Sequence, residues 1–338
     1  MKRLLPFALL LLLAALLLSP AAALAGAKQG IDIWWDRVLP ALLPGFICVR
    51  LAQELGLLQS VHRHTKGQLS AVIGFSLLSG APNGAKLLHA MVRDGSLSER
   101  EAVRLLPMIN NVSPPFLISI IASELLKNKG LFLPMGLAFY GCSLCCIVPF
   151  FFHRQDGASV FARTKTVPFS TALISVIESS MLDMLRIGGC LLFICTLLSL
   201  CRPLMPGDGA YAALAGCMEV SIGTSVLSEL TMPLRVKVSL MTGVAAFGGL
   251  SLALQTLCCY PKLPLIPYLA RKLLLGMLVG LVCYLLFPLF PSVSAAFASR
   301  QQLMDRSLSL SALLLSSLLS VAFMGVLSLM LPQAKYRK

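Results

Sequence analysis

The residues able to do chemistry in this chain sit in short polar interruptions of long apolar runs. Glu219 stands in the middle of one run, where a carboxylate costs about 2.5–3.5 kcal/mol to insert into a bilayer. It must be paired, protonated or coupled to an ion, and the hydroxyls of Ser221, Thr224 and Ser225 follow it closely. A second interruption runs Ser79-Gly80-Ala81-Pro82-Asn83-Gly84, with Lys86 just beyond. A helix beginning near Asn83 aims its free N–H groups and positive dipole end outward, which suits an anionic or carbonyl-bearing ligand. Asn110, Asn111 and Ser113 offer amide and hydroxyl groups where Pro114 and Pro115 deny the backbone its own ladder, and such groups coordinate a cation or a polar solute. Gly248-Gly249-Leu250-Ser251 is a fourth interruption, contributing the Ser251 hydroxyl. The competing account is that the amides and hydroxyls only satisfy the broken backbone, with Glu219 a structural partner for Lys86 or another helix.

Composition says what must position these groups. Of 338 residues, 57% are hydrophobic and 12% charged, against about 25% charged in soluble domains. A water-soluble enzyme is excluded. About ten apolar blocks of some 20 residues are each long enough to cross a hydrocarbon core, so the expected fold is an all-α polytopic membrane protein in contact with a lipid bilayer. The net charge of +14 comes from Lys and Arg in short loops, a topology signal rather than a nucleic-acid surface. Most of the eleven cysteines lie inside apolar blocks, which argues against a disulfide framework. Cys142-x-x-Cys145-Cys146 lacks a nearby histidine or acid, and His62, His64, His89 and His153 form no spaced ligand pair. Neither a metal site nor a cofactor is expected. With no phosphate loop or nucleophile elbow, an enzymatic activity has no residues to carry it.

Along the chain, Lys2 and Arg3 precede an apolar block at 4–18, and Ala23-Leu24-Ala25 resembles a cleavage site. Residues 1–29 are thus a signal-like or anchor helix. A polar connection (30–37) leads to a crossing at 38–58, a broken segment at 69–92, and a helix opened by a Ser98/Glu101 capping box. That helix continues to 126 through the Asn110 to Pro115 interruption, and 131–152 crosses next. The stretch 169–183 is amphipathic enough to lie along the interface. Crossings at 184–204, 238–259, 270–290 and 308–331 follow, with a second broken segment at 210–230. Arg50 and Glu54, four apart, are expected to pair on one helix face. Glu124, Asp183 and Glu229, near segment ends, are expected to snorkel.

The second half replays the first, Gly74–Ser79 aligning with Gly216–Ser221 at an offset of 142 (216 − 74). The expected units are a first repeat at 30–168, an inverted second repeat with its following helix at 169–306, and a C-terminal helix and basic tail at 307–338. If the two broken segments are re-entrant hairpins, Lys and Arg concentrate on one side; if they cross fully, the two sides are nearly even. The hairpin arrangement therefore fits the positive-inside rule. It implies eight crossings and two cytoplasmic termini, the N-terminus becoming external if the first segment is cleaved. Inverted repeats with broken helices are the usual build of secondary transporters, and four matched interruptions imply one polar cavity near the midplane.

Three motifs carry a family resemblance: Trp34-Trp35-Asp36-Arg37-Val38-Leu39-Pro40 with Pro44-Gly45-Phe46, Ser79 to Lys86, and Glu101-Ala102-x-Arg104-Leu105-Leu106 leading into Asn110-Asn111. The chain resembles sporulation integral membrane proteins of the YlbJ type, built on the nucleoside-recognition Gate domain. The resemblance covers about residues 30–330 in layout, with its specific motifs within 34–126. It implies a role in endospore formation in the bacterial cell membrane, as a transporter, while the groups at the interruptions point to a small polar or anionic solute. H⁺ or Na⁺ coupling through Glu219 and assembly as a homo-oligomer are both compatible with the sequence. The alternative is a non-transporting scaffold that docks a partner in spore envelope assembly, using the amphipathic stretches 93–104 and 291–306.

Overall fold

In a computed structural model, residues 4–55, 68–152 and 168–290 are described. Among them every regular element is helical. The helices are α1 (Leu4–Leu18), α2 (Pro20–Ile33), α3 (Leu39–Glu54), α4 (Gln68–Ser79), α5 (Asn83–Arg93), α6 (Glu99–Ile109) and α7 (Phe132–Phe152) in the first half. The second half contains α8 (Phe169–Cys201), α9 (Asp208–Met218), α10 (Val220–Glu229), α11 (Leu234–Phe247), α12 (Gly249–Cys259) and α13 (Leu265–Leu286). A π-helical turn at Trp34–Val38 joins α2 to α3, and a wider π-helical stretch, Phe116–Leu125, follows α6 after the loop at 110–115.

Among the described residues, four spans are long and apolar enough to cross a membrane: Lys129–Phe150, Phe169–Leu204, Leu234–Cys259 and Leu265–Leu289. A fifth candidate is the pair Leu9–Leu18 and Pro20–Ala52, bent by 100°. Eight crossings are thus not what the described residues present; 308–331 lies outside them. The stretch 99–126 is divided by its central loop into two short helices rather than one rod.

Two connections also differ from expectation. The polar stretch 30–37 is helical, because the π-turn absorbs it without breaking the chain of hydrogen bonds. Its neighbours Gly26 and Gly30, four apart, allow α2 to lie directly on α8: a Cβ at either would come within 2.7 Å of the α8 backbone. Such small-residue contacts are how helices approach closely in lipid. Trp34 Nε1 donates to the Met184 carbonyl at 2.8 Å on the same face. The expected interfacial helix 169–183 and crossing 184–204 are one continuous helix, α8. Nothing between them breaks a helix, and the polar residue at the junction, Asp183, is buried among cations rather than facing water.

The helix α6 begins as its sequence says. Ser98 Oγ accepts from Glu101 N at 3.3 Å, and the Glu101 carboxylate accepts from Ser98 N at 2.9 Å. Ser98→Ala should therefore lower stability by about 0.5–2 kcal/mol, read as a depressed thermal midpoint in detergent.

In each half a helical hairpin (α4–α5, α9–α10) is followed by an interrupted helix (α6 with 116–125, α11–α12) and then a long helix (α7, α13). The offset between the halves is shorter than the expected 142, since the second hairpin turns at Glu219 rather than after Ser221.

Candidate functional site at the helix breaks

Each interruption has a local cause. Helix α4 stops at Ser79, and Gly80, Ala81 and Pro82 turn the chain before α5. At the second tip a single residue, Glu219, takes an extended conformation (φ −152°, ψ 133°) between α9 and α10. Its carboxylate caps α10, accepting from Ile222 N at 2.8 Å, with the Val220 and Ser221 N–H groups also facing it. A carboxylate at a helix N-terminus is favoured by both the free N–H groups and the dipole. In the fourth interruption Gly248 and Gly249 have φ of 81° and 74°, a left-handed conformation that glycine adopts without steric penalty.

The hairpin tips dock on the interrupted helices. Ala81 N donates to the Asn111 carbonyl at 2.7 Å, tying the first tip to the loop at 110–115. The second tip lies against Gly249, where a Cβ would stand 2.9 Å from the Met218 carbonyl oxygen. All four interruptions consequently line one cavity of about 50 Å³, with Ala81, Ser113, Glu219, Ser221, Gly248 and Ser251 in its wall. Phe46 from α3 and Ile187 from α8 close the apolar side. A water needs about 10–15 Å³ by this kind of measure, so the space suits an ion or a few waters in this conformation. Ser113 Oγ is buried in that wall without a hydrogen-bond partner among the described residues. Glu219 is 5% exposed, and no ion pair to it is present among the described residues.

Of the residues singled out in the sequence, Ser113, Glu219, Ser221 and Ser251 reach this cavity. Asn110 and Asn111 are fully buried just behind it. Asn110 Nδ2 donates to Thr256 Oγ1 at 2.8 Å, and Asn111 Nδ2 to the Met108 carbonyl at 2.6 Å and Ser143 Oγ at 3.2 Å. Thr224 donates its hydroxyl to carbonyls of its own helix. Ser79 is buried and Ser225 half-buried, and neither lines the cavity.

Asn83 and Lys86 belong to a different cluster, built around Asp183. The Asp183 carboxylate is 1% exposed. It pairs with Arg50, with Lys86 at 2.5 Å and with Arg186 at 3.2 Å. Arg50 also donates to Asn83 Oδ1 at 3.1 Å and Ser179 Oγ at 3.1 Å. Three expectations are corrected here. Asp183 does not snorkel, Arg50 pairs across the fold rather than with the exposed Glu54, and Lys86 is engaged by Asp183 rather than by Glu219. The reason is desolvation: a guanidinium buried between packed helices requires a buried carboxylate, which an exposed side chain on its own helix does not supply.

Lys272 on α13 is a functional candidate that the sequence reading missed. It is 1% exposed and donates to Asn111 Oδ1 at 2.7 Å and the Asn110 carbonyl at 3.4 Å. Its signal was present, a lysine within an apolar helix, but beside Arg271 it reads as the edge of a basic loop. The eleven cysteines are all unpaired, and no cluster of potential metal ligands occurs among the described residues.

With this geometry in hand, the chain can be set beside known proteins. It is 23% identical, over 333 residues, to the sporulation integral membrane protein YlbJ of Bacillus subtilis (strain 168), covering 83% of this chain and 82% of that protein. The chain is thus similar to YlbJ over most of the length of both proteins. The similarity runs through both halves of the layout, well beyond the motifs at 34–126, and with the apolar spans it makes the chain a multi-pass membrane protein. No family model matches the chain. No solved structure matches it.

Proposed function

We propose that this YlbJ-like chain is a secondary transporter acting in endospore formation, moving a small polar or anionic solute through the space between its two hairpins. The observation that carries this is the convergence of four helix interruptions from two halves of the chain on one cavity with Glu219 and Ser113 in its wall. Non-helical backbone at membrane depth is tolerated only where protein or an aqueous cavity satisfies it, and a pair of such hairpins is the arrangement on which alternating access operates. The two halves act as an inverted pair, each hairpin moving with its own interrupted helix, to which it is already bonded. A solute of nucleoside size would exceed the present cavity, so binding one requires the tips to part.

Glu219 is the group that couples movement to H⁺ or Na⁺. Its carboxylate caps α10 and faces the cavity at once, so a cation reaching it changes both the charge of the wall and the capping of the hairpin. In proteoliposomes, Glu219→Gln should abolish gradient-driven solute uptake while retaining exchange of solute across the membrane. Full gradient-driven uptake in that variant would remove Glu219 from the coupling. The role itself is tested in spores: Glu219→Gln should impair spore maturation. If that variant matures normally while charge reversals in 93–104 abolish maturation, a docking role replaces transport.

A further inference from the structure

The loop after α6 turns two uncharged oxygens, Asn111 Oδ1 and the Asn110 carbonyl, toward the side-chain nitrogen of Lys272. Helix α6 ends at Asn110, so its last carbonyls lie at the negative end of the helix dipole. Uncharged backbone and amide oxygens at such an end are what membrane carriers use to hold Na⁺, and carbonyl oxygens replace the hydration shell of K⁺ in the same way. Here the oxygens are Asn111 Oδ1 and the Asn110 carbonyl, and the group they face is the Lys272 Nζ at 2.7 and 3.4 Å. No carboxylate pairs with Lys272 among the described residues. Asn110 in turn donates its amide to the hydroxyls of Thr256 and Tyr268. Among the described residues the Lys272 Nζ is therefore engaged by neutral oxygens and not by a salt bridge.

The geometry points to Lys272 as a tethered cation that occupies, at the 110–115 break, the place a soluble Na⁺ or K⁺ would otherwise take. The consequence for the transport reading, on which this part alone rests, is that no alkali ion is needed at that break and any coupling ion must act elsewhere, at Glu219. Asn111 links the two regions: its side chain holds Lys272, and its carbonyl accepts from Ala81 at the first hairpin tip.

The test reads cation binding without transport, so a failed flux assay leaves its result standing. The purified full chain is unfolded thermally in detergent in NaCl, KCl or N-methyl-D-glucamine chloride at equal ionic strength. All variants carry Glu219→Gln, which removes cation binding at the cavity carboxylate, and with Lys272 intact this background should show one midpoint in all three salts. Lys272→Ala opens the ammonium's space, and its lowered midpoint should rise by several degrees in NaCl or KCl relative to N-methyl-D-glucamine. Lys272→Met fills that space with an uncharged chain and should show no such rise. A midpoint for Lys272→Ala that is equally low in all three salts overturns the proposal, as does a Na⁺- or K⁺-specific rise in the Glu219→Gln background that keeps Lys272. If Lys272→Ala yields no folded protein, Lys272→Ser probes the same space. Recovery of folding only in Na⁺ or K⁺ supports the tethered cation, and failure in every salt overturns it.

Discussion

Replacing Asp183 with leucine should cost about 3–5 kcal/mol of folding stability, the largest single effect expected outside the cavity. The three cations around this carboxylate do not count equally. The Arg186 side chain is 63% exposed and that of Lys86 35%, so neither is enclosed by the protein as Arg50 is. Arg50 is 9% exposed, and without Asp183 it keeps only the neutral oxygens of Asn83 and Ser179. The penalty is that of an uncompensated buried guanidinium. Thermal unfolding in detergent should show the loss, and Arg50→Met combined with Asp183→Leu should recover most of it. A double variant as unstable as Asp183→Leu would show that packing, not charge, is at stake.

Substitution of Gly223 should be nearly as severe, and for a steric reason. The arms of the second hairpin cross so closely that a Cβ on Gly223 would lie 2.4 Å from the Gly216 Cα and 2.7 Å from its nitrogen. Both are backbone atoms, so neither can turn aside. Gly223→Ala should cost about 1–3 kcal/mol, the range for overpacking, and Gly223→Val more. Because Glu219 sits at the turn between these arms, solute uptake should fall further than the stability change explains. Gly141→Ala provides the control: nothing lies within 4 Å of its Cβ position, and helix propensity favours alanine there by about 1 kcal/mol. Equal effects at the two positions would show that the crossing is not the cause.

The interruptions were legible because their causes are local. Gly80 and Pro82 end α4, Pro114 and Pro115 close the loop after α6, and Gly248 with Gly249 divides α11 from α12. Ser98 and Glu101 likewise announce α6. The continuity of 20–54 was less legible, since the π-turn at Trp34–Val38 lets a polar stretch stay helical, and polarity alone reads as a loop. The length of α8 was obscured in the same way by the charged residues in its first half.

What the sequence by itself determined was where helices stop and which polar groups stand at the stops, because backbone propensity acts between residues close in the chain. Which group each buried cation meets was decided only by the tertiary structure: Arg50 with Asp183, 133 positions apart, and Lys272 with Asn111, 161 apart. A buried charge is stabilised by whatever group packing brings within about 3 Å, and that proximity depends on how helices from both halves come together rather than on any neighbour in sequence.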